Sequence, residues 1–100
     1  MKYIVDIDDT ICVSPVGEDG KRDYNQAVPL YERIDKINAL YDEGHEIHYW
    51  TARGMATNRD FTKLTSAQLV QWGCKFHSVK MGKPSYDVWI DDKAINAVDL

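Results

Sequence analysis

The residues best suited to chemistry come first in the chain, at Asp6-Ile7-Asp8-Asp9-Thr10. They directly follow Tyr3-Ile4-Val5, a short apolar run of the kind that forms a buried strand. Three carboxylates within four positions at a strand end repel one another and resist burial, so a bound divalent metal is their expected partner. Because ligands of open α/β sheets bind at the carboxyl ends of strands, we predict a metal-dependent site there.

Polar residues follow each of the four runs that have the pattern of a strand. Since the carboxyl ends of parallel strands meet at one edge of a sheet, these residues are predicted to converge on a single site. They are Asp6, Asp8, Asp9 and Thr10 after the first strand, Thr51 and Arg53 after the second, Lys80 and Lys83 after the third, and Asp91 and Asp92 after the fourth.

The elements that must position these residues alternate between strand and helix patterns. Two stretches have a helical spacing of apolar residues, and four short stretches are typical of strands. This alternation predicts an α/β fold with a Rossmann-like, doubly wound parallel sheet of about four strands. The polar, turn-rich residues 11–27 are predicted to form a hairpin flap or mobile loop. The predicted strands are 2–8, 46–51, 76–79 and 86–90, and the predicted helices are 28–43 and 58–72.

Composition narrows the class of protein. The 100 residues fit one domain, 1–100, and 44% of them are hydrophobic, enough for a thin core. A net charge of -4 disfavours bulk attraction to nucleic acid or to an anionic membrane. There is no apolar run long enough to span a membrane and no signal-peptide pattern, so we expect a soluble, cytoplasmic protein without a membrane partner. Cys12 and Cys74 are then expected to be reduced thiols.

The residue types suit the hydrolysis of a phosphate ester. Asp6 could attack phosphorus and form an aspartyl-phosphate, while Asp8 could protonate the leaving group and later activate water. Thr10 and Thr51 offer hydroxyls to the phosphoryl oxygens. Lys83 could stabilise negative charge on the phosphoryl group and on the nucleophile.

A dianionic phosphate and a carboxylate nucleophile also need charge neutralisation, which Mg²⁺ supplies while orienting in-line attack. The predicted metal ligands are Asp6, Asp8, Asp91 and Asp92. Arg53 offers a planar fork suited to a substrate phosphate, but a structural ion pair is an equal alternative.

This pattern resembles the haloacid dehalogenase (HAD) superfamily of phosphotransferases, with its elements in the superfamily's order. The resemblance implies a nucleophile at Asp6, a general acid and base at Asp8 whose carbonyl also binds the metal, and phosphate binders at Thr51 and Lys83. It implies metal ligands at Asp91 and Asp92. Asp9 stands where many members have glycine, and no catalytic role is assigned to it.

The short connections leave no room for a cap domain, so the chain resembles small capless members of the superfamily. These act on large substrates or use a neighbouring subunit as a lid, which implies a homo-oligomer. The segments Tyr49-Trp50-Thr51-Ala52-Arg53 and Gly82-Lys83-Pro84 resemble phosphatases of sugar or capsule biosynthesis, and the Thr-Ala-Arg element also resembles the 3′-phosphatase domain of polynucleotide kinases. The substrate implied is a small or polymeric phosphate ester.

Two other functions fit parts of the pattern. A receiver-like signalling module also has acids after its first strand, a hydroxyl, a lysine and Mg²⁺, but its phosphate-accepting Asp follows a mid-chain strand, where this chain has Thr51. The third reading is a catalytically silent binding subunit. The sequence also leaves open whether Lys80 or Lys83 binds phosphate, and whether the flap contacts substrate.

Overall fold

A parallel three-stranded sheet forms the centre of the computed structural model, which describes residues 1–100. Its strands are β1 (Lys2–Val5), β4 (Glu46–Trp50) and β5 (Ser78–Lys80), in the spatial order β1-β4-β5. The register places Tyr3 beside Ile47 and His48 beside Ser78. The predicted α/β class with a parallel sheet is confirmed. The sheet has three strands, however, and β1 and β5 each keep one unpaired edge.

A second, two-stranded ribbon precedes the first helix. Its strands are β2 (Cys12–Val13) and β3 (Val28–Pro29), which pair antiparallel. Helix α1 (Tyr31–Asp42) therefore begins later than the predicted residue 28, because Val28 and Pro29 are held in extended conformation by β2. Helix α1 buries Ile34 and Ile37, and Gly44 follows it with a positive φ of 98°.

Helix α2 (Thr62–Gln71) also begins later than predicted, since residues 58–61 form the end of a loop. The Asp60 carboxylate accepts a hydrogen bond from the backbone N–H of Thr62 at 2.9 Å and so satisfies one of the free donors of the first turn. Hydrogen bonding with the Thr62 side chain, and then this backbone hydrogen bond, lowers the pKa of Asp60. Neither α1 nor α2 is long and apolar enough to cross a membrane.

The core lies between the sheet and the helices, and it anchors the segment that carries the first acids. Ile7 and Ile11 have no exposed surface, and they pack in one cluster with Ile47, Tyr49 and Leu69. Full burial of an Ile or Leu side chain contributes about 1.5–3 kcal/mol. Because Ile7 lies between Asp6 and Asp8, this burial fixes the position of both carboxylates.

The fourth predicted strand, 86–90, is absent from the structure. Tyr86–Ile90 pairs with no strand, and Val88 and Ile90 are 75% and 93% exposed. The aromatic rings explain the difference. Trp89 packs edge-to-face on Tyr86 at 5.0 Å and on Trp50 at 6.2 Å between ring centroids, so the segment folds back on itself and on the end of β4.

Candidate active site

The chain curls immediately after β1 and turns its acids towards a cavity. The N–H groups of Thr10 and Ile11 both donate to the carbonyl oxygen of Ile7, at 3.1 and 2.9 Å. Strand β1 ends at Val5, earlier than the predicted residue 8, and this tight turn follows it. The sequence-based prediction that the chain curls here, so that Asp6 and Asp8 reach one site, agrees with the cavity that both residues line.

The cavity has a volume of about 560 Å³ and opens to solvent between three segments. These are the turn after β1, the flap, which is the connection of residues 14–27 between β2 and β3, and the loop after β4. The charged residues that line the cavity include Asp6, Asp8, Lys21, Arg22, Arg53, Arg59 and Lys83.

Lys83 is the lysine next to the first acid. Its Nζ lies 3.4 Å from Asp6 Oδ1, and only 11% of its side chain is exposed, whereas Lys80 is exposed on β5. The backbone fixes this position, since the N–H of Lys83 donates to the carbonyl oxygen of Thr51 at 3.0 Å. Its ammonium group also lies 5.1 Å from the centroid of the Tyr86 ring.

Asp6 is the more accessible of the two carboxylates. Its side chain is 37% exposed, and its second oxygen lies 3.4 Å from the Thr10 hydroxyl, which donates to it. Thr10 does not line the cavity. Its hydroxyl is therefore placed to orient Asp6 instead of contacting a substrate directly.

Arg53 and Asp8 form the best-connected ion pair of the protein. Arg53 Nε donates to Asp8 Oδ2 at 3.0 Å and Nη2 donates to Oδ1 at 3.0 Å, which gives a two-pronged contact. The Arg53 side chain has no exposed surface. Its remaining nitrogen donates to Gln68 at 2.6 Å and to Thr65 at 3.2 Å, both on α2. The predicted fork towards a substrate phosphate is thus occupied by protein groups, which corresponds to the ion-pair alternative.

Two further groups complete the surroundings of this ion pair. The guanidinium carbon lies 4.7 Å from the centroid of the Tyr24 ring, and Cys12 Sγ lies 3.7 Å from Arg53 Nη2 and 3.5 Å from Asp8 Oδ1. Burial, and then the charge of Asp8, raises the pKa of the Cys12 thiol to about 12. Burial also raises the pKa of Tyr24. Both side chains are therefore neutral packing partners at neutral pH.

Thr51 shapes the loop after β4. It is 1% exposed, and its hydroxyl oxygen accepts the backbone N–H of Arg53 at 3.1 Å. Its own N–H donates to the carbonyl oxygen of Lys80 at 3.0 Å. Thr51 does not line the cavity, so the structure gives it the task of turning the chain and presenting Arg53.

Asp91 and Asp92 are not brought to the cavity. Both are exposed, and Asp91 accepts hydrogen bonds from the Lys93 backbone and from the Trp89 indole, which lower its pKa. No cluster of three or more His, Cys, Asp or Glu side chains is arranged to hold a metal ion. With Asp8 engaged by Arg53, the present arrangement does not fit the predicted four-carboxylate magnesium site.

The sequence predicted no catalytic role for Asp9 and no partner for Arg22. In the structure these two residues form an ion pair that links the flap to the turn after β1. Arg22 donates from two nitrogens to the two oxygens of Asp9, at 3.0 and 2.7 Å, and this bonding raises the pKa of Arg22. Asp9 has a φ of +64°, in the left-handed region that favours glycine. In the sequence, only the presence of an acid where many HAD members have glycine marked Asp9 as unusual. Its partner Arg22 could not be predicted, because it lies thirteen residues away on an irregular loop.

No protein-family model matches the chain, and a search of curated proteins finds no match. The fold is similar to the crystal structure of a structural-genomics target from Vibrio cholerae, with a TM-score of 0.83 and 25% sequence identity. The match covers 98% of this chain and 85% of that chain. That protein's description states no activity, so the likeness concerns the fold.

Proposed function

We propose that this protein is a Mg²⁺-dependent phosphomonoesterase that works through an aspartyl-phosphate on Asp6, in the manner of the capless HAD phosphatases. The observation that carries the proposal is the pair formed by Asp6 and Lys83. An accessible carboxylate at the cavity lies 3.4 Å from an ammonium group that is almost fully buried. A buried cation beside a carboxylate offers a fixed positive charge to an incoming phosphoryl group without any rearrangement.

The chemistry uses two carboxylates in different surroundings. In the first step an Asp6 oxygen forms a bond to phosphorus, the bond from phosphorus to the leaving oxygen breaks, and that oxygen takes a proton from Asp8. In the second step Asp8 takes a proton from water, the water oxygen attacks phosphorus, and the bond to Asp6 breaks to release inorganic phosphate. Lys83 offsets the negative charge in both steps.

The two oxygens of Asp8 differ in their partners. Oδ1 accepts from Arg53 Nη2 at 3.0 Å, from Nε at 3.3 Å and from the Cys12 thiol at 3.5 Å, whereas Oδ2 accepts only from Nε at 3.0 Å. A carboxylate oxygen has two lone pairs, so Oδ2 keeps one for a proton. We therefore assign the proton transfer to Oδ2. Arg53 fixes the direction in which that oxygen points.

The magnesium requirement rests on the sequence resemblance. Mg²⁺ would reduce the repulsion between the phosphate and Asp6. In this structure residues 86–90 lie apart from the three-stranded sheet, so the proposal also includes a rearrangement to the four-strand core of the superfamily, in which this segment would join the sheet and carry Asp91 and Asp92 to its edge. Asp91→Asn should then raise the Mg²⁺ concentration that half-maximal activity requires, whereas chelation by EDTA should abolish activity.

A phosphatase assay tests the proposal. Purified protein is incubated with Mg²⁺ and a panel of sugar phosphates, nucleotides and 3′-phosphorylated oligonucleotides, and inorganic phosphate is measured. We expect Asp6→Asn to lower turnover by at least about 10³-fold, as loss of a nucleophile does. Asp35→Asn is the matched control, because Asp35 is exposed on α1 and forms no ion pair. Equal rates for wild type and Asp6→Asn, or no turnover across the panel, would contradict the proposal.

Because the chain resembles capless members of the superfamily, we also propose a homo-oligomer in which a neighbouring copy covers the open side of the cavity. Light scattering measures this directly against the protomer mass of 11.5 kDa. A monomer at assay concentrations that retains full activity would exclude a lid supplied by a second copy.

A further inference from the structure

Two cationic side chains at the mouth of the cavity have no partner in the protein. Five cationic residues line the cavity, and three of them are paired with carboxylates, namely Lys83 with Asp6, Arg53 with Asp8 and Arg22 with Asp9. Lys21 and Arg59 are exposed, and neither forms a salt bridge. The chain as a whole carries a net charge of -4, so this cationic mouth departs from the rest of the surface.

The flap holds Lys21 in place through its backbone. The carbonyl oxygen of Lys21 accepts the N–H of Gly17 at 2.7 Å, and its N–H donates to the Asp19 carboxylate at 3.0 Å. Asp19 is the remaining acid at the cavity, and this bond engages one of its oxygens. The next residue, Arg22, ties the flap to Asp9 at 2.7 Å, which keeps Lys21 over the cavity.

The loop after β4 holds Arg59 at the same mouth. Gly54 has a φ of +84°, and a Cβ built on it would lie 2.0 Å from the carbonyl oxygen of Arg59. Only glycine permits this approach of two backbone segments. The Phe61 ring packs edge-to-face on the ring of Tyr24, which belongs to the flap, at 5.1 Å between centroids. This contact joins the loop after β4 to the flap beside Arg59.

Lys21 and Arg59 also line a smaller cavity of about 180 Å³ that adjoins the first one. Arg22, Asp19 and Asp23 complete its charged lining, and the two carboxylates each accept a backbone N–H of the flap. The scissile phosphate belongs near Asp6 and Lys83, and a leaving group that extends from there along the wall formed by Lys21 and Arg59 would reach this second space. We infer that the leaving group carries a second anionic group, a phosphate or a carboxylate, that binds between Lys21 and Arg59. This inference rests on the proposed phosphomonoesterase function and narrows its substrate class.

Matched substrates isolate the second charge. Glucitol 6-phosphate and 6-phosphogluconate differ only in a terminal hydroxymethyl or carboxylate group, and fructose 6-phosphate and fructose 1,6-bisphosphate provide the phosphate arm. We expect wild-type kcat/KM to favour the doubly anionic member of at least one pair by about tenfold, from two exposed ion pairs that each contribute about threefold. The arm that shows the preference identifies the second group as carboxylate or phosphate.

Variants assign the preference to the two cations. Lys21→Gln and Arg59→Gln should each lower the preference about threefold through KM, and the double variant should remove it. Lys2→Gln is the matched control, because Lys2 is exposed on β1 and does not line the cavity. Active enzyme with no charge preference, or with a preference that the double variant keeps, would overturn the inference while leaving the phosphomonoesterase intact.

A binding measurement keeps the inference testable if the proposed function fails. Isothermal titration of Asp6→Asn with the same substrate pairs measures affinity without turnover. Tighter binding of a doubly anionic member, lost in the variant that also carries Lys21→Gln and Arg59→Gln, supports the second anion site at these two cations even if wild type hydrolyses nothing. Equal affinities within both pairs overturn it.

Discussion

Replacement of Arg53 tests whether this side chain positions Asp8 or binds substrate. Arg53→Met keeps the aliphatic length but removes the charge, and it leaves Asp8, Gln68 and Thr65 without their donor. Breaking a buried ion pair from one side costs about 3–5 kcal/mol. Asp8 is 19% exposed, so water partly compensates it, and we expect the lower end, about 3 kcal/mol. For a domain of this size that loss lowers Tm by about 15 °C.

Arg53→Lys separates charge from geometry. A lysine ammonium keeps the positive charge, but it cannot form the two-pronged contact with Asp8 and also reach Gln68. Loss of about two hydrogen bonds predicts a destabilisation of about 2 kcal/mol. Urea unfolding followed by tryptophan fluorescence measures both variants. The matched control is Arg59→Lys, an exposed arginine without an ion pair, which should change stability by less than about 0.5 kcal/mol.

The kinetic result distinguishes the two roles of Arg53. If Arg53 acts through Asp8, kcat should fall while KM for a phosphate ester changes less than about twofold, because Arg53 has no exposed surface to offer a substrate. A substrate fork would instead raise KM. Wild-type stability of Arg53→Met, or a raised KM with an unchanged kcat, would refute the reasoning.

Two further predictions concern the loop after β4 and the buried Cys12 thiol. Gly54→Ala should destabilise the protein by at least about 2 kcal/mol in urea unfolding, because its Cβ would meet the backbone of Arg59. The control Gly20→Ala, at a φ of +77° with open space around it, should cost only about 1 kcal/mol. Equal losses for the two variants would contradict the backbone contact. The pKa of Cys12 is raised from 9.0 to about 12, so its protonated form stabilises the fold below pH 9 and this contribution is lost as pH rises towards 12, by up to about 1.4 kcal/mol per pH unit. Unfolding titrations of Cys74→Ser between pH 8 and 11 should show this decline, and the double variant that also carries Cys12→Ala should show a shallower one.

The sequence predicted that Asp6 and Asp8 meet a lysine that follows β5, because that much follows from topology, but the choice of Lys83 over Lys80 came from the structure. Residues at the carboxyl ends of parallel strands meet at one edge whatever the details of packing. The role of Arg53 depends instead on which face α2 turns towards the loop after β4. Its partners Thr65 and Gln68 lie twelve and fifteen residues further along the chain, and only tertiary packing brings them together.

The segment 86–90 shows the opposite limit of sequence analysis. Tyr86-Asp87-Val88-Trp89-Ile90 has the composition of a strand, but a strand exists only where another strand offers its hydrogen bonds. In the structure the Trp89 ring packs against the rings of Tyr86 and Trp50, and the segment forms no backbone pairing with the sheet. Aromatic side chains favour both arrangements, so local pattern cannot choose between them.

The contacts of the three carboxylates after β1 bear directly on whether the fold needs a metal. Three carboxylates after β1 were expected to need a divalent cation, because like charges at a strand end repel one another. Each of them has its own cationic partner in the structure: Lys83 lies 3.4 Å from Asp6, Arg53 lies 3.0 Å from Asp8, and Arg22 lies 2.7 Å from Asp9. The protein itself therefore offsets the repulsion that first suggested the metal. What remains uncompensated is the charge that a phosphate dianion would add beside Asp6, since Lys83 is the one cation placed to meet both. The requirement for Mg²⁺ should accordingly appear in turnover of phosphate esters and not in folding, so EDTA should abolish activity while leaving the urea midpoint unchanged.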